Sequence, residues 1–222
     1  MPAGSGMLEP QQARSRESLA RVLDATLDLL VERRDSSLTI AEVSDRSRVS
    51  VGSIYARFDG KSAIVRAVQE RELDRIDART KTAFETAVHA ERAFEENVRA
   101  LVSARVTILA SEAPIISALM LSAYRDSTLV ARGRESALLA QGWFVAALAR
   151  ACTENGSPVT AARVEWCDEI VYSLASRHLG LGIGADFRPD RTFSASQLVE
   201  ELTSTVLALL PVEDHVASRV DR

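Results

Sequence analysis

Cysteine, histidine, glycine, proline and aromatic residues are all sparse in these 222 residues, and each scarcity narrows what the chain can be. The two cysteines, Cys152 and Cys167, have no Cys or His at ligand spacing, so they read as half-buried free thiols rather than a metal or redox site. The three histidines, His89, His178 and His215, are scattered, and no HxxxH or HExxH occurs. There is also no Gly-rich phosphate loop after a strand and no serine elbow between strand and helix. Adjacent carboxylates such as Glu95–Glu96 and Glu200–Glu201 point apart on helices and read as solvated faces. The expectation is a protein that is not an enzyme and needs no cofactor or metal.

Ten Gly and six Pro, with no alternating Val/Ile/Thr runs and 46% hydrophobic residues, predict an all-α chain long enough for one or two domains and a sizeable core. No stretch approaches the ~20 apolar residues of a membrane span. The N-terminal MPAGSGMLEPQQ lacks a basic start and an apolar run, so it reads as a tail rather than a secretory signal. The expected location is cytoplasmic, without membrane contact. Lysine is nearly absent too: Lys61 and Lys81 stand against 25 arginines, a bias that reads as genomic base composition. The net charge is −4, and residues 12–62 hold nine Lys/Arg against eight Asp/Glu. A duplex reader needs cations on one face rather than a high total. Arg46, Arg48, Arg57 and Lys61 cluster near one segment, while Glu17, Asp24, Asp28 and Glu32 fall on the helix before it.

That segment is Leu38 to Ile64, LTIAEVSDRSRVSVGSIYARFDGKSAI. Its periodicity gives a helix capped by Thr39 with Ile40 and Val43 inward, then a second helix, Val51 to Arg57, capped by Ser50 with Ile54 and Phe58 inward. The joint Ser47-Arg48-Val49-Ser50 is so short that the helices must cross steeply, as in a helix-turn-helix. Gly52 and Ser53 leave the second helix without bulk at its start, which permits close approach to a major groove.

Ser50, Gly52, Ile54, Tyr55, Phe58, Lys61 and Ile64, with Ser53 for the usual Thr and Thr39-Ile40-Ala41-Glu42-Val43 upstream, resemble the signature of the TetR family of bacterial transcriptional regulators. The detailed resemblance covers the first third of the chain. It implies a ligand-responsive regulator, most simply a repressor, that binds a palindromic double-stranded DNA operator as a homodimer through its two C-terminal helices. On that reading Val51 and Ser53 face base edges, and Arg48 or Arg57 donates to guanine or phosphate. Thr39, Ser50, Tyr55 and Lys61 hold phosphates, and Gly52 allows close approach. Two departures stand out. The family ends its first helix with Gly and an aromatic where this chain has Arg34 and Asp35, and the turn commonly has Gly where this chain has Arg48. If Arg48 is left-handed it costs about 1 kcal/mol relative to Gly; either the turn is rearranged or Arg48 contacts phosphate. These departures also keep open an alternative, a helical interaction protein with a degenerate DNA-binding head.

The expected organisation is a disordered tail over 1–13, a three-helix helix-turn-helix domain over 14–60, a larger helical ligand-binding and dimerisation domain over 61–211, and a polar tail over 212–222. The first helix runs Arg14 to Arg33 on a stripe of Leu19, Val22, Leu23, Thr26, Leu27 and Leu30. A long helix runs Lys61 to about Ala87, then one over 91–111, and Pro114 is placed to start another. Asp126 and Ser127 offer a cap for a helix to about Thr153. Amphipathic helices over Val159–His178 and Ser196–Leu210, joined by a loop containing Gly180, Gly182, Gly184 and Pro189, are placed to pair with symmetry mates through Val164, Val171, Leu174, Leu198, Leu202, Val206 and Leu209, the alternative being an intrachain helical hairpin with no partner. Candidate residues for a small, largely apolar effector are Phe94, Met120, Tyr124, Trp143, Phe144, Trp166, Tyr172 and His178. Taken singly, each of these is better explained as ordinary core.

Overall fold

The computed structural model describes residues 8–33, 37–124, 126–157, 159–181 and 193–210, and among these it contains eight α-helices and no strand. They are α1 (Leu8–Arg33), α2 (Ile40–Ser47), α3 (Val51–Tyr55), α4 (Lys61–Ala87), α5 (Phe94–Ala123), α6 (Ser127–Glu154), α7 (Ala161–Leu179) and α8 (Ala195–Leu209). The all-α class follows. Arg34, Asp35, Gly182, Gly184, Pro189 and the expected tail over 212–222 lie outside the described residues.

Helix starts follow local chemistry. Thr39 and Glu42 form a reciprocal capping box on α2, and Ser194 and Gln197 form another on α8. Ser50 and Thr160 accept from the backbone N–H groups of Ser53 and Arg163 to start α3 and α7. Gly180, at φ 66°, ends α7 in the left-handed conformation.

Three expectations are corrected. First, α1 begins at Leu8 rather than Arg14, so residues 8–13 are helical; Pro10 falls in its first turn, where no N–H is required. Second, Pro114 starts no helix but lies inside the 30-residue α5. Apolar residues on both sides of it are held in cores, Ile108 and Leu109 before it, Ala118 and Leu119 after it, and this burial outweighs the hydrogen bond that proline forgoes. Third, α5 is long and apolar enough to cross a membrane, contrary to the reading that no stretch is. Its buried Val98, Leu101, Val102 and Val106 and its ion-paired Arg105 and Glu112 are those of a core helix.

The chain divides into two compact units. The first takes the described residues up to Asp74 together with Pro114–Gly133; the second takes Arg75–Ala113 and the described residues from Arg134 onward. The first unit is thus larger than the expected 14–60. Three helices of this length cannot bury their own stripes, and the core around Val22, Leu30, Leu38, Val43 and Ile54 is completed by Ile64, Val65 and Val68 of α4 and by Ala118, Leu119, Ala123 and Leu129. Within it Gln69 Nε2 donates to the Leu129 carbonyl at 2.9 Å, and Arg66 donates to Asp126 from Nε and Nη2. In the second unit α7 and α8 pack on each other, and Phe84 meets Phe144 edge to face at 5.6 Å.

Candidate nucleic-acid interface

The joint between α2 and α3 is fixed by its own side chains. Ser44 Oγ donates to the Val49 carbonyl at 2.7 Å, and the Val49 N–H donates to Ser47 Oγ at 3.3 Å. Arg21 Nε of α1 donates to the Ser47 carbonyl at 3.2 Å. Val49 is buried, which seats the turn on the core. Between them Arg48 adopts φ 58°, ψ 32°, left-handed and exposed, at the α2 C-cap. The turn therefore keeps the geometry that glycine would favour and places a guanidinium there.

On α3, Ile54 is the anchor, fully buried in the core of the first unit. Its neighbours turn outward: Val51 is 40% and Tyr55 57% exposed, and Gly52 and Ser53 are exposed as well. A methyl built at Gly52 would meet no atom within 4 Å. The glycine is thus not demanded by packing inside the protein, and the space above it is open to another molecule.

All nine predicted DNA-facing residues, Thr39, Arg48, Ser50, Val51, Gly52, Ser53, Tyr55, Arg57 and Lys61, are exposed and belong to the first unit. Some of their polar groups already have partners. Thr39 Oγ1 and Ser50 Oγ serve as helix caps, and Ser50 Oγ lies 2.9 Å from Ser53 Oγ. Arg57 donates from Nη1 to Ser18 Oγ at 2.8 Å and from Nη2 to Ser15 Oγ at 3.0 Å. Its guanidinium braces the end of α3 against α1, a role that sequence reading missed. The signal was two serines three residues apart on α1, which nothing in the sequence places near residue 57.

The cation count of this face is set by ion pairs. Arg46, expected beside the motif, bonds Glu32 of α1, and Arg33 bonds Glu42. The Arg33 hydrogen bond, with that of Thr39, holds Glu42 down at about 2. Arg48, Arg57 and Lys61 are further exposed cations close in sequence to α3.

The predicted effector residues are divided. Met120 and Tyr124 belong to the first unit, and Tyr124 is 75% exposed; the other six belong to the second unit. Of those, Phe144 is fully buried, Phe94, Trp143 and Tyr172 are half-buried, and Trp166 is 54% exposed on the surface of α7. His178 is stacked on Phe193 at 5.3 Å.

The predicted pairing residues are redistributed as well. Val164, Val171, Leu198, Leu202 and Val206 are buried within the chain itself, so they are core of the second unit and offer no surface to a second copy. Leu209 is half-buried. Leu174 is exposed, and it falls on the α7 stripe of Trp166 and Ile170, four residues apart.

Residues 22–68, which span α2, α3 and their caps Thr39 and Ser50, match the family described as bacterial regulatory proteins, tetR family. Over these residues the chain is similar to the TetR family. The HTH-type transcriptional repressor KstR of Mycolicibacterium smegmatis is 35% identical over 68 residues, 31% of this chain and 33% of that protein. KstR of Mycobacterium tuberculosis is 35% identical over 65 residues, 29% and 30% of the two chains. The match thus spans about a third of the length of these curated relatives. Among solved structures, a chain from Mesorhizobium loti assigned to the TetR family superposes with TM-score 0.69 at 13% identity, covering 88% of this chain and 96% of that one. The transcriptional regulator FadR of Bacillus subtilis, solved with stearoyl-CoA, superposes with TM-score 0.63 at 12% identity, covering 86% and 99%. At such identities these two establish the fold.

Proposed function

We propose that this protein is a transcriptional repressor that binds a palindromic DNA operator as a homodimer in the cytoplasm and responds to a small, largely apolar effector. The observation that carries the reading is α3: Ile54 fixes it to the core while Val51, Gly52, Ser53 and Tyr55 face outward, and among the described residues no atom lies within 4 Å of a methyl built at Gly52. Val51 and Ser53 read base edges, the former by apolar contact with a thymine methyl. Arg48, Ser50, Tyr55, Lys61 and Thr39 set register on phosphates. The left-handed Arg48 supports an intact reading head over a degenerate one, because the turn retains its shape without glycine.

One five-residue helix gives little discrimination, and two copies on successive major grooves supply the rest. The α7 stripe of exposed Trp166 and Leu174, with half-buried Ile170 between them, is the face we assign to the second copy. The helical second unit takes the effector, and the FadR structure with stearoyl-CoA supports an apolar one. For the effector to release DNA it must bind the non-reading arrangement more tightly, since equal affinity shifts no population.

Sedimentation of the protein with a duplex taken from beside its own gene tests this. Two protomers per duplex, reduced to a weakly bound monomer by Trp166→Glu, are expected. A stable one-to-one complex contradicts the dimer, and a Trp166→Glu protein that still dimerises contradicts the α7 face. A random duplex bound equally well contradicts the operator.

A further inference from the structure

In the second unit, Arg105 of α5 is only 4% exposed, and a buried arginine keeps its charge. Its surroundings are unusual in three respects. Three rings enclose the guanidinium, Phe84 and Phe144 at 5.6 Å and Tyr172 at 5.1 Å. Among the described residues its acidic partner is the buried Asp168 of α7, engaged through one hydrogen bond, Nη2 to Oδ1 at 2.9 Å. The Nε–H is buried with no acceptor among the described residues. Nε and Nη2 lie on the same edge of a guanidinium, the edge that takes a carboxylate two-pronged. Asp168 uses half of it.

Folded proteins leave few buried donors unmet, and an unmet one is often explained by a ligand. Stability alone is a poor reason for such a pair, because well-packed apolar side chains replace buried ion pairs at little cost. A second buried polar atom without a partner, Ser176 Oγ, lies on α7 two turns beyond Asp168 and one beyond Tyr172. We propose that Arg105, walled by Phe84, Phe144 and Tyr172, is the anchor of a binding site for an apolar carboxylic acid, whose carboxylate takes the open edge of the guanidinium in competition with Asp168. Burial pushes Asp168 up to about 6 against the pull of Arg105. The inference deepens the effector reading above and rests on it for regulation, though the site itself does not.

Calorimetric titration of the full chain, without DNA, with octanoate and phenylacetate and with their primary amides tests it. At least one acid is expected to bind saturably, with its amide about ten-fold weaker or more. Asp168→Asn removes the competitor and is expected to raise the acid's affinity several-fold. Arg105→Met combined with Asp168→Leu removes both charges at similar volume and is expected to abolish the preference for acid over amide. Absence of binding by both acids, equal binding of the amides, or an Asp168→Asn protein with unchanged acid affinity overturns the site, and the last serves even if the double variant does not fold. If the acids bind through Arg105 but leave duplex affinity unchanged, the site stands and the effector reading fails.

Discussion

Arg57, at the end of α3, donates to the hydroxyl of Ser18 on α1 across 2.8 Å, with a second bond from the same guanidinium to Ser15. Residues 39 and 42 positions apart thereby hold the segment just after α3 against α1. A planar fork makes both bonds at once, and an ammonium does not. Arg57→Lys is therefore expected to weaken duplex binding despite the conserved charge, while thermal stability moves by less than about 1 kcal/mol because the contacts are exposed. Unchanged affinity in Arg57→Lys would show that only its charge matters.

Gly52→Ala separates folding from function. The added methyl meets nothing in the protein, and alanine is favoured over glycine in a helix by about 0.5–1 kcal/mol. The variant is expected to melt at the same temperature or slightly higher and to bind its duplex at least several-fold more weakly. A variant that loses stability, or one that binds DNA normally, refutes the close approach.

Arg48→Gly relieves a residue held at φ 58°. A gain of about 1 kcal/mol is expected, or about 2–4 °C in Tm for a chain of this size. If Arg48 touches phosphate, log K against log salt becomes shallower by about 0.9. A stabilised variant with an unaltered slope would mean that the left-handed arginine serves no DNA contact.

Local signals were the legible ones. Thr39 and Ser50 as caps, the steep joint between α2 and α3, and the Lys61–Ala87 span of α4 all depend on neighbours within a few residues, and the structure has them there. What the sequence hid depends on tertiary burial. Pro114 inside α5 runs against local propensity, and the use of Ala118, Leu119 and Leu129 to complete the first core involves residues far along the chain. Val164, Val171 and Leu202 illustrate a further limit: an amphipathic stripe shows that a face is covered, not whether the cover is the same chain or another copy. The candidate reading face was legible because its residues are local to α3; the brace from Ser15 and Ser18 was not.

Glu42 predicts an acid response. Its hydrogen bonds from Arg33 and Thr39 lower it from 4.5 to about 2 in the folded chain. A carboxylate depressed by folding contributes stability that is present above about 4.5 and lost as pH falls toward about 2. Glu42→Gln keeps a capping box but not the charge. It is expected to be less stable than the parent at pH 7 and to lose less on acidification, so that the two melting curves converge near pH 2; parallel curves would contradict the linkage.

The central claim is that the outward face of α3 reads duplex DNA. It is tested most directly by fluorescence anisotropy with a duplex from beside the protein's own gene, across a salt series, alongside a random duplex and the Tyr55→Ala and Lys61→Ala variants. The account predicts a clear preference over random DNA, an affinity that falls steeply with salt, losses in both variants, and for Lys61→Ala a slope reduced by about one phosphate contact. Equal binding to every duplex, or variants indistinguishable from the parent, would contradict it.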